Sequence, residues 1–144
     1  MYAEAYVAND VEHQDPVELV RLLYSKAIAK LGEALDHLEA GRIPERATAV
    51  AHASEVLLEL QAALNMEAGG EIALNLARLY VYMQERLAEG NAQQTAEPLE
   101  ECRSLLSTLL EGWRECETEV QLVTSPAPQA EAPRGSEARQ AWTL

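Results

Sequence analysis

Three histidines, two cysteines, a glycine pair and a surplus of carboxylates are the residues of this chain whose types could do chemistry. A di-metal centre in a helical bundle needs Glu-x-x-His on two helices and a further Glu from each of the others, so that carboxylate and imidazole share one helix face. The residues three before His13, His37 and His52 are Asp10, Ala34 and Ala49, and none completes such a pair. A reactive cysteine needs positive charge to hold its thiolate. Cys102 follows Glu100 and Glu101, and Cys116 stands between Glu115 and Glu117; these neighbours act the other way. Fourteen residues separate the two cysteines, about 21 Å along a helix, against the roughly 7 Å between Cα atoms that a disulfide tolerates. Gly69-Gly70, followed by Glu71, lacks the lysine and the spacing of a phosphate-binding loop. With 24 Asp and Glu in the chain, neighbouring carboxylates are most simply a solvated face. No metal, no cofactor and no catalysis is expected.

The elements that must position these residues read as helices. The apolar content is 48%, but it is Leu and Ala; aromatics are 5% and phenylalanine is absent, a composition that favours helix over strand. Asp15-Pro16-Val17-Glu18 has the form of a helix start, with an N-cap, a proline where its missing N–H costs nothing, and a capping-box glutamate. Val20, Leu23, Tyr24, Ala27, Ile28, Leu31, Leu35 and Leu38 follow at three- and four-residue spacing until Gly41. Pro44 opens a second helix with Val50, Leu57, Leu60 and Leu64 on its stripe. The stretch from Asn65 to Gly70 predicts a turn needing positive φ. A third helix is expected over about 71–89, with Ile72, Leu76, Leu79, Tyr80, Met83 and Leu87 in register and Gly90-Asn91 as its stop. Thr95 would cap a fourth helix, with Pro98 in its first turn and Leu99, Cys102, Leu105, Leu106, Leu109, Leu110 and Trp113 on its stripe.

The expected fold is therefore all-α: an antiparallel four-helix bundle over residues 15–120. A flexible N-terminal arm (1–14) precedes it and a Pro-rich, disordered tail (121–144) follows. At 144 residues this is one domain. The formal charge of −13 falls on the first 120 residues, because Glu131 and Glu137 cancel Arg134 and Arg139 in the tail. Such a deficit of Lys and Arg argues against nucleic acid and against an anionic membrane surface. No apolar run reaches the roughly 20 residues of a membrane span, and the start MYAEAYVANDVE lacks the features of a signal peptide. A cytoplasmic location is expected.

More apolar surface is present than one core needs. A bundle helix buries a stripe little wider than 100°. The first helix adds Val17, Leu19 and Leu22 to its stripe, the second adds Val56 and Leu58, and the third adds Leu74, Val81 and Tyr82. Packing on both flanks could absorb some of these; the remainder would form a groove for an amphipathic helix of a partner.

The same residues resemble a known family. Leu64-Asn65-Met66-Glu67-Ala68-Gly69-Gly70-Glu71-Ile72-Ala73, then Asn75-Leu76, then Leu79-Tyr80-Val81-Tyr82-Met83, is similar to the signature of the flagellin export chaperones of the FliS family. Asp15-Pro16-Val17-Glu18-Leu19, Leu23-Tyr24, Ala27-Ile28, Arg86-Leu87 and Trp113 match further elements in order. Asp15, Ser25-Lys26 and Val81 depart from the family's Ser, Asp-Gly and Asp, and Asp15 still serves as a cap. The resemblance implies a cytosolic chaperone that binds the C-terminal region of flagellin one-to-one, prevents its polymerisation and presents it to the flagellar type III export gate. It also implies an N-terminal arm that covers part of the groove until cargo displaces it, with Tyr6 at the matching position and Tyr2 as the alternative. The residues assigned to the partner surface are Tyr6, Tyr24, Glu71, Leu74, Asn75, Tyr80, Tyr82 and Met83. A regulatory adaptor that sequesters another protein is the competing reading, and a homodimer of the free chain is left open.

Overall fold

The computed structural model describes residues 16–115, and these form four helices with no strand among them. They are α1 (Pro16–Ala40), α2 (Ile43–Ala62), α3 (Met66–Gln93) and α4 (Ala96–Glu115). The links between them are two or three residues long, too short for anything but reversal, so successive helices run antiparallel. Each helix packs on its sequence neighbours, and α4 returns to α1 to close the ring. The α1–α2 and α1–α4 seams are the more extensive, and the two seams made by α3 are sparser. Asp15, the arm with Tyr6, Cys116 and the tail lie outside the described residues.

The core is aliphatic. Leu31, Leu57, Leu60, Leu87, Leu99 and Leu106 are enclosed, with Ala27, Ala34, Ala53 and Ala73 letting the helices approach. Val17 and Val56, read from the sequence as surplus apolar surface, belong to this core. Gly41 turns the chain out of α1 at φ 76°. There Arg42 N–H reaches back to His37 O at 2.9 Å, a Schellman-type closure that satisfies a carbonyl of the last turn. Pro44 enters the first turn of α2 as its sequence suggests.

The third helix departs from expectation at both ends. Asn65 caps a first turn that begins at Met66, its Oδ1 accepting from Ala68 N–H at 3.0 Å. Only Gly70, at φ 54° and ψ −130°, leaves helical geometry before the helix resumes. The positive-φ turn is thus present, compressed to one residue inside the helix. At the far end Gly90 stops nothing. It is buried, and a Cβ there would come within 3.1 Å of Pro98 Cβ and 3.3 Å of Leu99 Cδ2. Its missing side chain admits the start of α4, and the helix runs three residues further to a left-handed Gln94 at φ 57°.

The only buried polar or charged residue among those described is one the hydrophobic pattern does not disclose. Arg46, 4% exposed near the start of α2, donates from Nε to Asn91 Oδ1 at 2.9 Å, from NH2 to Asn91 O at 3.1 Å, and from NH1 to Gln94 Oε1 at 3.3 Å. A cation at the last turn of α3 satisfies groups that the helix cannot and meets the negative end of its dipole.

Glycine is required at two places for different reasons. Gly90→Val forces side-chain atoms into Pro98 and should cost about 2–3 kcal/mol. Gly70→Ala meets nothing within 4 Å, so its expected cost of about 1–3 kcal/mol is backbone strain alone. Urea unfolding with an unchanged m-value measures both.

Candidate partner-binding groove

The inner face of α3 carries Ala73, Leu76, Tyr80, Met83 and Leu87, all buried. Tyr80 meets Tyr24 of α1 hydroxyl to hydroxyl at 2.6 Å. Their rings stand edge-on at 6.4 Å, and Trp113 of α4 tilts against Tyr24 at 5.8 Å. Three helices thus share one aromatic cluster in an otherwise aliphatic core. Burial, which disfavours the phenolate, pushes Tyr24 up to about 12 and raises Tyr80 as well. Burial likewise pushes the Cys102 thiol up to about 12, and its Sγ donates to Met83 O at 3.6 Å; this sulfur packs α4 on α3.

The outer flanks of α3 are different. Eight large apolar residues are exposed among those described, and five of them, Met66, Ile72, Leu74, Val81 and Tyr82, belong to this one helix. They fall on two sides. Ile72, Asn75, Leu79, Tyr82 and Arg86 recur at three- and four-residue spacing along the flank toward α4. On α4, Glu101, Leu105, Thr108 and Gly112 recur in the same way, with Leu109 beside them.

Polar bonds fix how the two rows pair. Arg86 donates from Nε to Glu101 Oε1 at 2.7 Å and from NH2 to Glu97 at 3.2 Å, while Tyr82 OH donates to Glu101 Oε2 at 2.7 Å. The tyrosine hydroxyl and then the guanidinium hold the Glu101 carboxyl below its usual range, and the carboxylate in turn raises Tyr82. This clamp closes one end of the seam. Counting from it in opposite directions along antiparallel helices, Asn75 comes level with Gly112 about 16 Å away. A Cβ on Gly112 would meet nothing within 4 Å, so the seam is open there. Leu79, Leu105 and Leu109, half-buried against the core, form its floor, and Ile72, 50% exposed, stands at its mouth. These residues make an apolar strip about three helical turns long with one polar end, the candidate groove.

The flank toward α2 carries Leu74 and Val81. Gln84 Nε2 donates to Gln61 Oε1 at 3.2 Å across this seam, and Val81 and the exposed Leu58 each lie one turn from that bond.

The residues read from the sequence divide accordingly. Glu71, Asn75 and Tyr82 are exposed, with Asn75 and Tyr82 on the α4 flank; Leu74 is exposed on the α2 flank. Tyr24, Tyr80 and Met83 are 0–1% exposed. They stand in the core, on the stripes where the sequence places them, and support α3 from within. Tyr6 lies outside the described residues. Ile72, Leu105 and Leu109 are groove residues that the sequence reading left among the core stripes. Their signal was their place at the edge of a stripe, 60° or more from its centre. A shallow depression between α1 and α2, lined by Lys30, Glu33, His37, Glu45, Thr48 and His52 among others, is charged and resembles the groove in nothing. Among the described residues no three His, Cys, Asp or Glu side chains gather as metal ligands, and no helix is long and apolar enough to cross a membrane.

A family model described as "Flagellar protein FliS" matches residues 1–120. Among characterised relatives, the flagellar secretion chaperone FliS of Salmonella typhimurium is 36% identical over 115 residues, covering 79% of this chain and 85% of the relative. The flagellar secretion chaperone FliSB of Pseudomonas aeruginosa is 34% identical over 112 residues, covering 78% and 89%. FliS of Vibrio cholerae is 24% identical over 124 residues, covering 86% and 91%.

The tyrosine pair that backs the groove makes its own prediction. Tyr24→Phe strands the Tyr80 hydroxyl in the core and should cost about 1–3 kcal/mol, whereas Tyr24→Phe with Tyr80→Phe should cost less than the two single changes summed. A folded-state pKa above the unfolded 10.0 means that the pair's contribution is complete below pH 10 and is lost as pH rises through about 12. Urea midpoints followed from pH 8 to 12 should fall in that window, and less steeply in the double variant.

Proposed function

This chain belongs to the FliS family and is a flagellar secretion chaperone; we propose that its cargo is the C-terminal helical region of flagellin, bound one-to-one in the α3–α4 groove. The observation that supports this reading is the pairing of Ile72, Leu79 and Tyr82 on α3 with Leu105 and Leu109 on α4, exposed side chains beside half-buried leucines, on the helix that holds five of the eight exposed large apolar residues among those described. A protein that polymerises by burying helical apolar stripes is kept monomeric when those stripes are covered by something else. An apolar groove about 16 Å long accepts some three turns of such a helix.

Masking of this kind is stoichiometric. It needs neither nucleotide nor turnover, and the cargo gains helix as it loses freedom on binding. The encounter takes place in the cytosol, before export, and the complex is then presented to the flagellar type III export gate. The clamp end of the groove sets the direction of the cargo. Arg86 is outnumbered there by Glu89, Glu97 and Glu101, so a basic side chain at one end of the cargo helix is favoured over an acidic one.

Calorimetric titration of the full chain with the C-terminal segment of flagellin from the same organism tests this. Saturable 1:1 binding with a negative heat-capacity change is expected. Ile72→Glu places a charge at the groove mouth and should weaken binding about tenfold or more. Leu22→Glu, on the outward face of α1, should leave it unchanged. Full affinity in Ile72→Glu combined with loss in Leu58→Glu would move the cargo to the α2–α3 seam.

A further inference from the structure

The first turn of α3 is joined to the rest of the helix through one residue that is not helical. Gly70 stands at φ 54° and ψ −130°, the geometry of the first central residue of a type II′ turn, which side chains resist. The turn before it is closed on itself: Asn65 Oδ1 accepts from Ala68 N–H at 3.0 Å, and Asn65 O accepts from Gly69 N–H at 2.8 Å. Gly70 lies two residues from Ile72 at the groove mouth, and a Cβ on it would meet nothing within 4 Å. We propose that Gly70 is a hinge: with cargo in the groove it takes helical angles, and the first turn swings into line with the rest of α3 to lengthen the groove at its open end. This deepens the cargo reading and rests on it.

Helical spacing says what the movement brings where. On an unbroken α3, Ala68 falls four residues before Ile72 and continues the row of Ile72, Asn75, Leu79 and Tyr82 along the α4 flank. Met66 falls eight residues before Leu74 and continues the row toward α2. With Gly70 at φ 54° both rows break there. Straightening adds one turn, about 5 Å, to a strip of about 16 Å, on the side from which a long cargo helix leaves. Little packing holds the turn where it is, since Met66 is 47% exposed, while the buried Leu64 anchors the chain just before it. The sequence favours the kinked form in the free chain. Gly69 and Gly70 each disfavour helix about fivefold relative to alanine, so the straight form starts as a minority. Cargo contacts made only in the straight form then shift the balance by as much as the two forms differ in affinity.

Gly70→Ala tests the hinge, because alanine favours helical angles and resists positive φ; together these move the balance toward the straight form roughly 20-fold or more. In the isotope-labelled full chain without cargo, the secondary Cα shift at position 70 should become helical in the variant. In the unmodified chain it should become helical when the C-terminal segment of flagellin is added. Calorimetric titration should show Gly70→Ala binding that segment several-fold to about tenfold tighter, because less of the population has to convert. Gly41→Ala imposes comparable strain at φ 76° in the α1–α2 turn, and should lose stability with no gain in affinity. Circular dichroism establishes that both variants are folded. A positive φ retained at position 70 in Gly70→Ala overturns the hinge, as does Gly70→Ala binding no tighter than the unmodified chain, or a Gly70 shift that stays in place on binding. Failure of the unmodified chain to bind flagellin at all defeats the cargo reading instead, and the cargo-free shifts of Gly70→Ala still decide whether the first turn has a straight form.

Discussion

The attachment of α3 is the constraint on which the rest depends. A bundle helix is ordinarily held by burying a stripe against neighbours on both sides, but α3 keeps apolar residues on its outer flanks and makes the two sparser seams. Directional bonds stand in for the missing packing. Tyr80 meets Tyr24 on the inner face, Arg46 holds the last turn, Gln84 bridges to α2, and Arg86 and Tyr82 share Glu101 on the α4 side. Every one of these bonds has an end on α3. A hydrogen bond holds register at a point without demanding that the surface around it be covered. A helix pinned at points and open between them is what a groove requires.

An exposed apolar face invites self-association, and the charge of the chain answers it. Patches of this kind on soluble proteins mark interaction sites or aggregation liabilities. With a formal charge of −13, two copies approaching face to face repel over a distance comparable to the Debye length, about 8 Å at physiological ionic strength. Contact with a neutral or basic helix carries no such cost. The acidic composition, which in the sequence excludes nucleic acid as a partner, thus also selects among protein partners by disfavouring the chain itself.

The fold was legible because its signals are local. Pro16, Gly41, Pro44 and Thr95 sit at or beside helix ends, and three- and four-residue spacing identified the core positions. What was not legible depends on contacts distant in sequence. Gly90 reads as a stop because glycine usually follows a helix; only the approach of Pro98 reveals it as a notch. Arg46 reads as a solvated cation until the last turn of α3 is placed beside it. Tyr24 and Tyr80 have the spacing of core residues and the chemistry of a recognition surface, and the bond between their hydroxyls is what reconciles the two. Ile72 and Tyr82 show the limit of periodicity. Ile72 lies near the edge of the stripe, where helix rotation decides between floor and rim, whereas Tyr82 lies well off it and is held over the α4 flank only by its bond to Glu101, a contact distant in sequence.

The groove proposed for the cargo combines an adaptable floor with one fixed end. Its floor is leucine from two helices, which accepts many apolar shapes with little penalty, and its Gly112 end has no side chain to dictate one. Specificity must then come from the ends and from length. On the proposed reading, the bonds that Arg86 and Tyr82 make to Glu101 would set where a docked helix ends, and the open end would let a longer cargo continue past the bundle. A chaperone that must release its cargo for export gains from this division. Affinity spread over an adaptable apolar floor can be given up turn by turn from the open end, whereas a site closed at both ends would have to let go all at once.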